Sequence, residues 1–271
     1  MLIKATRSYL LAVLVWVLCA VAPSHAQTKQ IRVAAAADLQ TAMPEIVQAF
    51  ESQTGTHVEL IFGSSGNFFA QILNGAPFDV FFSADISYPQ KLEASGFTLP
   101  NTRTIYGLGR ISLWMPANAA CEPSRDHWKC LTGASVRQIA IANPAHAPYG
   151  RAAVAALTKA GIYDQIKSKI VFGENISQAA QFAQSGNAPA AILAYSLTLS
   201  PALRTGKIWE VPAELYPPIE QAAVALRATR NPEASRAFLK FVTQGPGRSI
   251  LDRYGFRVSP PPIKAERTSS R

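Results

Sequence analysis

Two adjacent hydroxyls, Ser64 and Ser65, stand between glycines in the stretch FGSSGNFFAQI, where an apolar run ends and a helical pattern begins. A lone serine there would be an ordinary helix cap. Three other stretches share the arrangement. Ala37-Asp38-Leu39 follows the run IRVAAAA. NPAHAPYG, ending in Tyr149-Gly150, follows RQIAIA. Asn175, Ile176 and Ser177 follow KIVF. At each, a strand hands over to a helix N-terminus, whose free N–H groups and dipole suit an anion. The hydroxyls of Ser64, Ser65 and Tyr149 add donors. Lysine and arginine are almost absent from these junctions. Taken singly, Asp38 reads as a cap, Tyr149 as a turn residue, Ile176 as core and His146 as a loop histidine. The set of four points to a small oxyanion held by neutral dipoles.

Signatures of catalysis are weak. GSSG is one residue short of the G-x-S-x-G elbow, and neither a phosphate-binding G-x-x-x-x-G-K-[ST] loop nor an H-E-x-x-H pair occurs. A serine hydrolase needs a histidine beside Ser64 or Ser65. Beyond the first 26 residues the histidines are His57, His127 and His146. His57 precedes the second strand, at its far end, so only His146 close to Ser65 would reopen that reading. Cys121 and Cys130 read as a disulfide in an exported chain. Zinc would need more ligands than these two and His127.

The elements that position these residues alternate. Strands are expected over 31–37, 57–62 and 79–84, with helices over 41–55, 67–74 and 86–96, the last broken early by Pro89. Strands 137–142, 169–172 and 190–197 alternate with helices 150–161 and 175–186. This rhythm is that of parallel sheets covered by helices. The run 105–115 is too long for one strand and reads as a crossing between two lobes, and 221–228 as the return. A helix over 231–245 has Asn231 as cap and Pro232 at its first position. The expected fold is α/β: two Rossmann-like lobes with a ligand cleft between them and two crossover strands. Lobe 1 takes 27–109 and 220–258, and lobe 2 takes 110–219.

Residues 1–26 read as a secretory signal: Lys4 and Arg7, then the apolar Leu10 to Val21, then Ser24-His25-Ala26. The apolar part is short for a membrane span. Leu18 before Cys19 disfavours a lipoprotein signal, which wants a small residue there. Cleavage near Ala26 takes the chain from 271 to 245 residues and its formal charge from +9 to +7. A basic surface suits anionic partners, but no dense Lys/Arg block marks a nucleic-acid surface. Residues 259–271 read as a disordered tail.

The stretches VAAAADLQTAMPEI, FGSSGNFFAQI, GAPFDVFFSAD, ANPAHAPYGRAA and DRYGF together resemble the periplasmic molybdate-binding proteins of ABC importers. The resemblance implies a type II periplasmic binding protein, a monomer without a cofactor, that closes on molybdate or tungstate. Its partners would be a membrane permease and its ATPase. It assigns Ala37, Asp38, Ser65, Tyr149 and Ile176 to the anion, Ile176 through its N–H alone. Two departures stand out. Many members have Ser, or Thr-Asn, where this chain has Ala37-Asp38, so a carboxylate stands close to a dianion. Facing it at 4 Å would cost roughly 8 kcal/mol at an effective dielectric near 20. The carboxylate is therefore expected to turn away and cap the following helix, leaving its N–H to the anion. Some members also place a binding tyrosine near Tyr195, but the register there is off by one and Tyr149 is the better candidate. Competing readings are a receptor for another oxyanion such as sulfate, a secreted serine hydrolase, and an anion sensor, which would need a partner domain.

Overall fold

The computed structural model describes residues 30–257. The expected signal and the 259–271 tail lie outside the described residues. Strands β1 (Gln30–Ala36), β2 (His57–Gly63), β3 (Val80–Ser83), β4 (Thr104–Gly109) and β10 (Ile219–Ala225) form one sheet in the order β2-β1-β3-β10-β4. Strands β5 (Ile111–Met115), β6 (Ile139–Ala142), β7 (Ile170–Gly173), β8 (Ala190–Ala194) and β9 (Lys207–Glu210) form a second, β7-β6-β8-β5-β9. The two are built alike. β1 runs parallel to β2 and β3 as β6 does to β7 and β8, while β10 runs antiparallel to β3 and β5 antiparallel to β8. The sheets are therefore mixed rather than purely parallel.

The run expected as one crossing is two strands, β4 and β5, separated at Arg110 and belonging to different sheets. Arg110 fixes the switch. Its guanidinium donates to the Gly255 carbonyl and lies 3.9 Å from the Tyr195 ring centre. β10 brings the chain back to the first sheet.

β1 is apolar and buried from Val33 to Ala36, where both its faces are covered. Val33 and Ala35 pack with Met43, Ile46 and Phe50 of helix α1 (Met43–Thr54) and with Phe238 and Val242 of the helix Pro232–Gln244. Ala34 faces the other way, onto Phe68 and Ile72 of helix α2 (Ser65–Leu73). Phe50 meets Phe238 and Phe241 edge-on, with ring centres 5.0 and 5.4 Å apart. Pro44 sits in the first turn of α1, and Gly55, at φ +65°, ends it.

Three local expectations shift. Pro89 does not break its helix, Ser87–Ala94, because it lies in the first turn, where a missing N–H removes no intrahelical bond. The strand expected over 190–197 stops at Ala194, and Tyr195–Thr198 turns into a short helix. β9 has no counterpart in the sequence reading. Cys121 and Cys130 are disulfide-bonded, with Cα atoms 5.6 Å apart. Among the described residues, no helix is long and apolar enough to cross a membrane.

Candidate functional site

All four junctions meet at one small hollow between the lobes, about 200 Å³ of space between atoms. Ala37, Asp38, Ser65, Tyr149 and Ile176 all line it, joined by Gly63, Ser64, Ala147 and Asn175. Among the described residues, no lysine or arginine does. A larger hollow of about 810 Å³ runs along Asp85, Arg151, Pro217 and Pro218, but holds none of the five expected residues. The small one has the buried dipoles.

From the first lobe, β1 ends in a 3-10 turn, Ala37–Gln40, and β2 ends at Gly63 before α2. Ser64 caps α2 through the Asn67 N–H. Ser65, fully buried, accepts a hydrogen bond from the Ala84 N–H at 2.9 Å, so its own hydroxyl proton is left to donate. From the second lobe come the helices Pro148–Lys159 and Ile176–Gln184. Pro148 opens the first, and the Asn175 side chain caps the second through the Gln178 N–H at 3.0 Å. Tyr149 and Ile176 thus stand in first turns, where N–H groups lack intrahelical partners.

Asp38 does not cap a helix. The 3-10 turn and α1 have no side-chain cap. Instead Asp38 Oδ2 accepts hydrogen bonds from the Tyr149 hydroxyl at 2.8 Å and from Gln221 Nε2 at 2.7 Å. Among the described residues Oδ1 has no hydrogen-bond partner. A fully buried carboxyl needs strong donors, and these two come from the opposite lobe and from the crossover strand. Burial pushes Asp38 up from 3.8 to about 6, against the lowering pull of Gln221, Tyr149 and its own backbone N–H. Tyr149 is raised well above an ordinary tyrosine, by burial first and then by Asp38. Tyr106 is raised likewise, and its hydroxyl donates to the Ser83 carbonyl.

Tyr149 therefore behaves otherwise than expected. Its one hydroxyl proton goes to Asp38, and its oxygen accepts from Gln221 Nε2 at 2.8 Å. It ties the lobes together at the floor of the hollow. Tyr195 does not line the hollow and stacks under Arg110. Gln221, fully buried on β10, escaped the sequence reading. Its signal was a lone amide inside the apolar run QAAVALRA. Gly109 makes room for the group: a Cβ there would lie 2.4 Å from the Tyr149 oxygen and 2.7 Å from Gln221 Nε2.

At the rim, the Gly66 N–H donates to the His146 carbonyl at 3.0 Å. His146 Nδ1 lies 3.0 Å from Ser64 Oγ, and Nε2 lies 3.5 Å from Glu174, which also accepts from Asn67 Nδ2 at 2.7 Å. His146 thus meets Ser64 rather than Ser65, and that serine is already engaged as the α2 cap. These contacts join α2 to the second lobe. The Ser196 hydroxyl donates to the Asp38 carbonyl on another side.

Two like-built lobes closing on a shared, cation-free hollow are the architecture of a type II periplasmic binding protein. Residues 31–257 match the family described as bacterial extracellular solute-binding protein, and the chain belongs to it. Among its relatives, the molybdate-binding protein ModA of Rhodobacter capsulatus is 37% identical over 228 residues, 84% of this chain and 88% of that protein. The molybdate-binding protein ModA of Azotobacter vinelandii is 38% identical over 232 residues, 85% and 91% of the two chains. The solved structure of the Azotobacter vinelandii periplasmic molybdate-binding protein superposes with a TM-score of 0.79 at 34% identity, covering 85% of this chain and all of that one.

Proposed function

We propose that this chain is a periplasmic receptor that closes on one molybdate or tungstate dianion and delivers it to the permease and ATPase of an ABC importer. In this reading it is exported, cleaved near Ala26 and works as a monomer, with lobe 1 spanning 27–109 and 220–258 and lobe 2 spanning 110–219. The observation that carries the proposal is the convergence of Ala37, Asp38, Ser65, Tyr149 and Ile176, from four junctions of two lobes, on one hollow with no cationic lining. Fixed N–H and O–H dipoles replace the water shell of the anion without mobile charges. Each hydrogen bond to a charged partner contributes about 1.5–3 kcal/mol. Several of them, already in place, support tight binding, and the size of the closed hollow selects among tetrahedral oxyanions. The molybdate-binding relatives favour the larger ones.

The contact between Ser64 and His146 is read as a tie between lobes and not as a nucleophile and its base. Ser64 Oγ already accepts the Asn67 N–H, and the acid partner Glu174 is itself shared with Asn67 of the opposite lobe.

Calorimetric titration of the ligand-stripped mature chain with molybdate, tungstate, sulfate and phosphate tests the proposal. One-to-one binding of the first two, with sulfate weaker by roughly a thousandfold, about 4 kcal/mol, is the expected result. A preference for sulfate or phosphate would keep the fold and overturn the ligand.

A further inference from the structure

We infer that the anion binds together with one proton, held between Asp38 Oδ1 and an anion oxygen, so that Asp38 selects for a protonated complex. The inference rests on the oxyanion reading above. Asp38 lines the hollow and is fully buried, yet only one of its oxygens is satisfied. Oδ2 takes the two side-chain donors, Tyr149 and Gln221. Among the described residues Oδ1 has no hydrogen-bond partner, and a buried polar atom left unpaired needs a reason. A neutral carboxyl supplies one: its O–H can sit on Oδ1 and donate to the ligand, while Oδ2 goes on accepting.

The charges around Asp38 leave little alternative. The groups facing it are Tyr149 from the second lobe, Tyr106 from β4, Gln221 from β10 and the Ser196 hydroxyl on its carbonyl. None is a cation, so an ionised Asp38 beside a dianion would meet uncompensated repulsion. Burial already shifts Asp38 toward the neutral acid before any ligand arrives, and a dianion nearby shifts it further. No bond is made or broken except the O–H: the proton comes from solvent and returns there on release. Binding of a fully deprotonated anion should then weaken about tenfold for each pH unit above the range where free Asp38 titrates.

Molybdate titration of the full mature chain at about pH 7.5, in two buffers of different ionisation enthalpy, reads the protons taken up per anion bound. Close to one proton is expected for the unaltered chain. For Asp38→Asn, whose amide keeps an acceptor for Tyr149 and Gln221 and offers a permanent donor, close to none is expected. Tight binding with no proton taken up by the unaltered chain would overturn the inference while leaving the receptor reading intact. Uptake that persists in Asp38→Asn would also overturn it, since the proton would then sit elsewhere. If Asp38→Asn fails to fold, the buffer dependence of the unaltered chain still decides: no dependence refutes. No heat with any oxyanion would bring down the receptor reading, and the inference with it.

Discussion

Replacing Tyr149 by phenylalanine should loosen the closed form without unfolding either lobe. The ring remains and keeps its packing. What is lost is the hydroxyl, which donates to Asp38 Oδ2 and accepts from Gln221 Nε2. Both bonds cross from the helix Pro148–Lys159 to elements of the first sheet, so both exist only when the lobes are together. When the lobes part, water can replace them, and the penalty falls on closure rather than on folding. With Asp38 neutral in the bound complex, each of the two is worth about 0.5–1.5 kcal/mol. Together they predict a loss of about 1–3 kcal/mol, or roughly 5- to 150-fold in molybdate affinity. Calorimetry gives the affinity, and thermal unfolding of the ligand-free proteins checks that the lobes are intact. Because the hydroxyl acts through Asp38, its removal should matter much less in an Asp38→Ala background. Weakening of less than threefold, or strict additivity of the two substitutions, would refute the reasoning.

Three other perturbations address the same architecture. Gly109→Ala places a methyl 2.4 Å from the Tyr149 oxygen and 2.7 Å from Gln221 Nε2. It should weaken anion binding by about tenfold or more, measured by the same titration. Asp38 is raised from 3.8 to about 6, so its contribution to stability is fully present below 3.8 and lost as pH rises through about 6. Denaturant unfolding should show the unaltered chain losing up to roughly 3 kcal/mol relative to Asp38→Asn between about pH 4 and pH 7.5; parallel pH profiles would contradict this. Replacing both Cys121 and Cys130 by serine opens a short loop, with a sequence separation of 9, and should lower stability by about 2–3 kcal/mol. The cysteines do not line the hollow, so affinity should stay within about threefold.

Three of the four junctions were legible because each combines two strong local signals, an apolar strand and a helix start with a cap or a proline. Ser64, Asn175 and Pro148 all stand where local chemistry puts them. The fate of Asp38 was not legible. Its partner Gln221 lies 183 residues away in sequence, and nothing local to Asp38 distinguishes a cap from a carboxyl tied to another element. Arg110 was hidden for a similar reason. The apolar pattern runs through it, and only the assignment of β4 and β5 to different sheets reveals the switch. β9 was missed because KIWE is half-buried at an edge and carries a charge at each end. The strand over 190–197 was drawn too long because Ser196 and Leu197, buried in the short helix after β8, continue the buried run of the strand.

Crystals grown with tungstate, measured at the tungsten absorption edge, test the central claim most directly. The account predicts one strong anomalous peak in the hollow between the lobes, within hydrogen-bonding reach of Ser65 and the N–H groups of Asp38 and Ile176. A peak elsewhere, or none in a crystal whose lobes are closed, would contradict it.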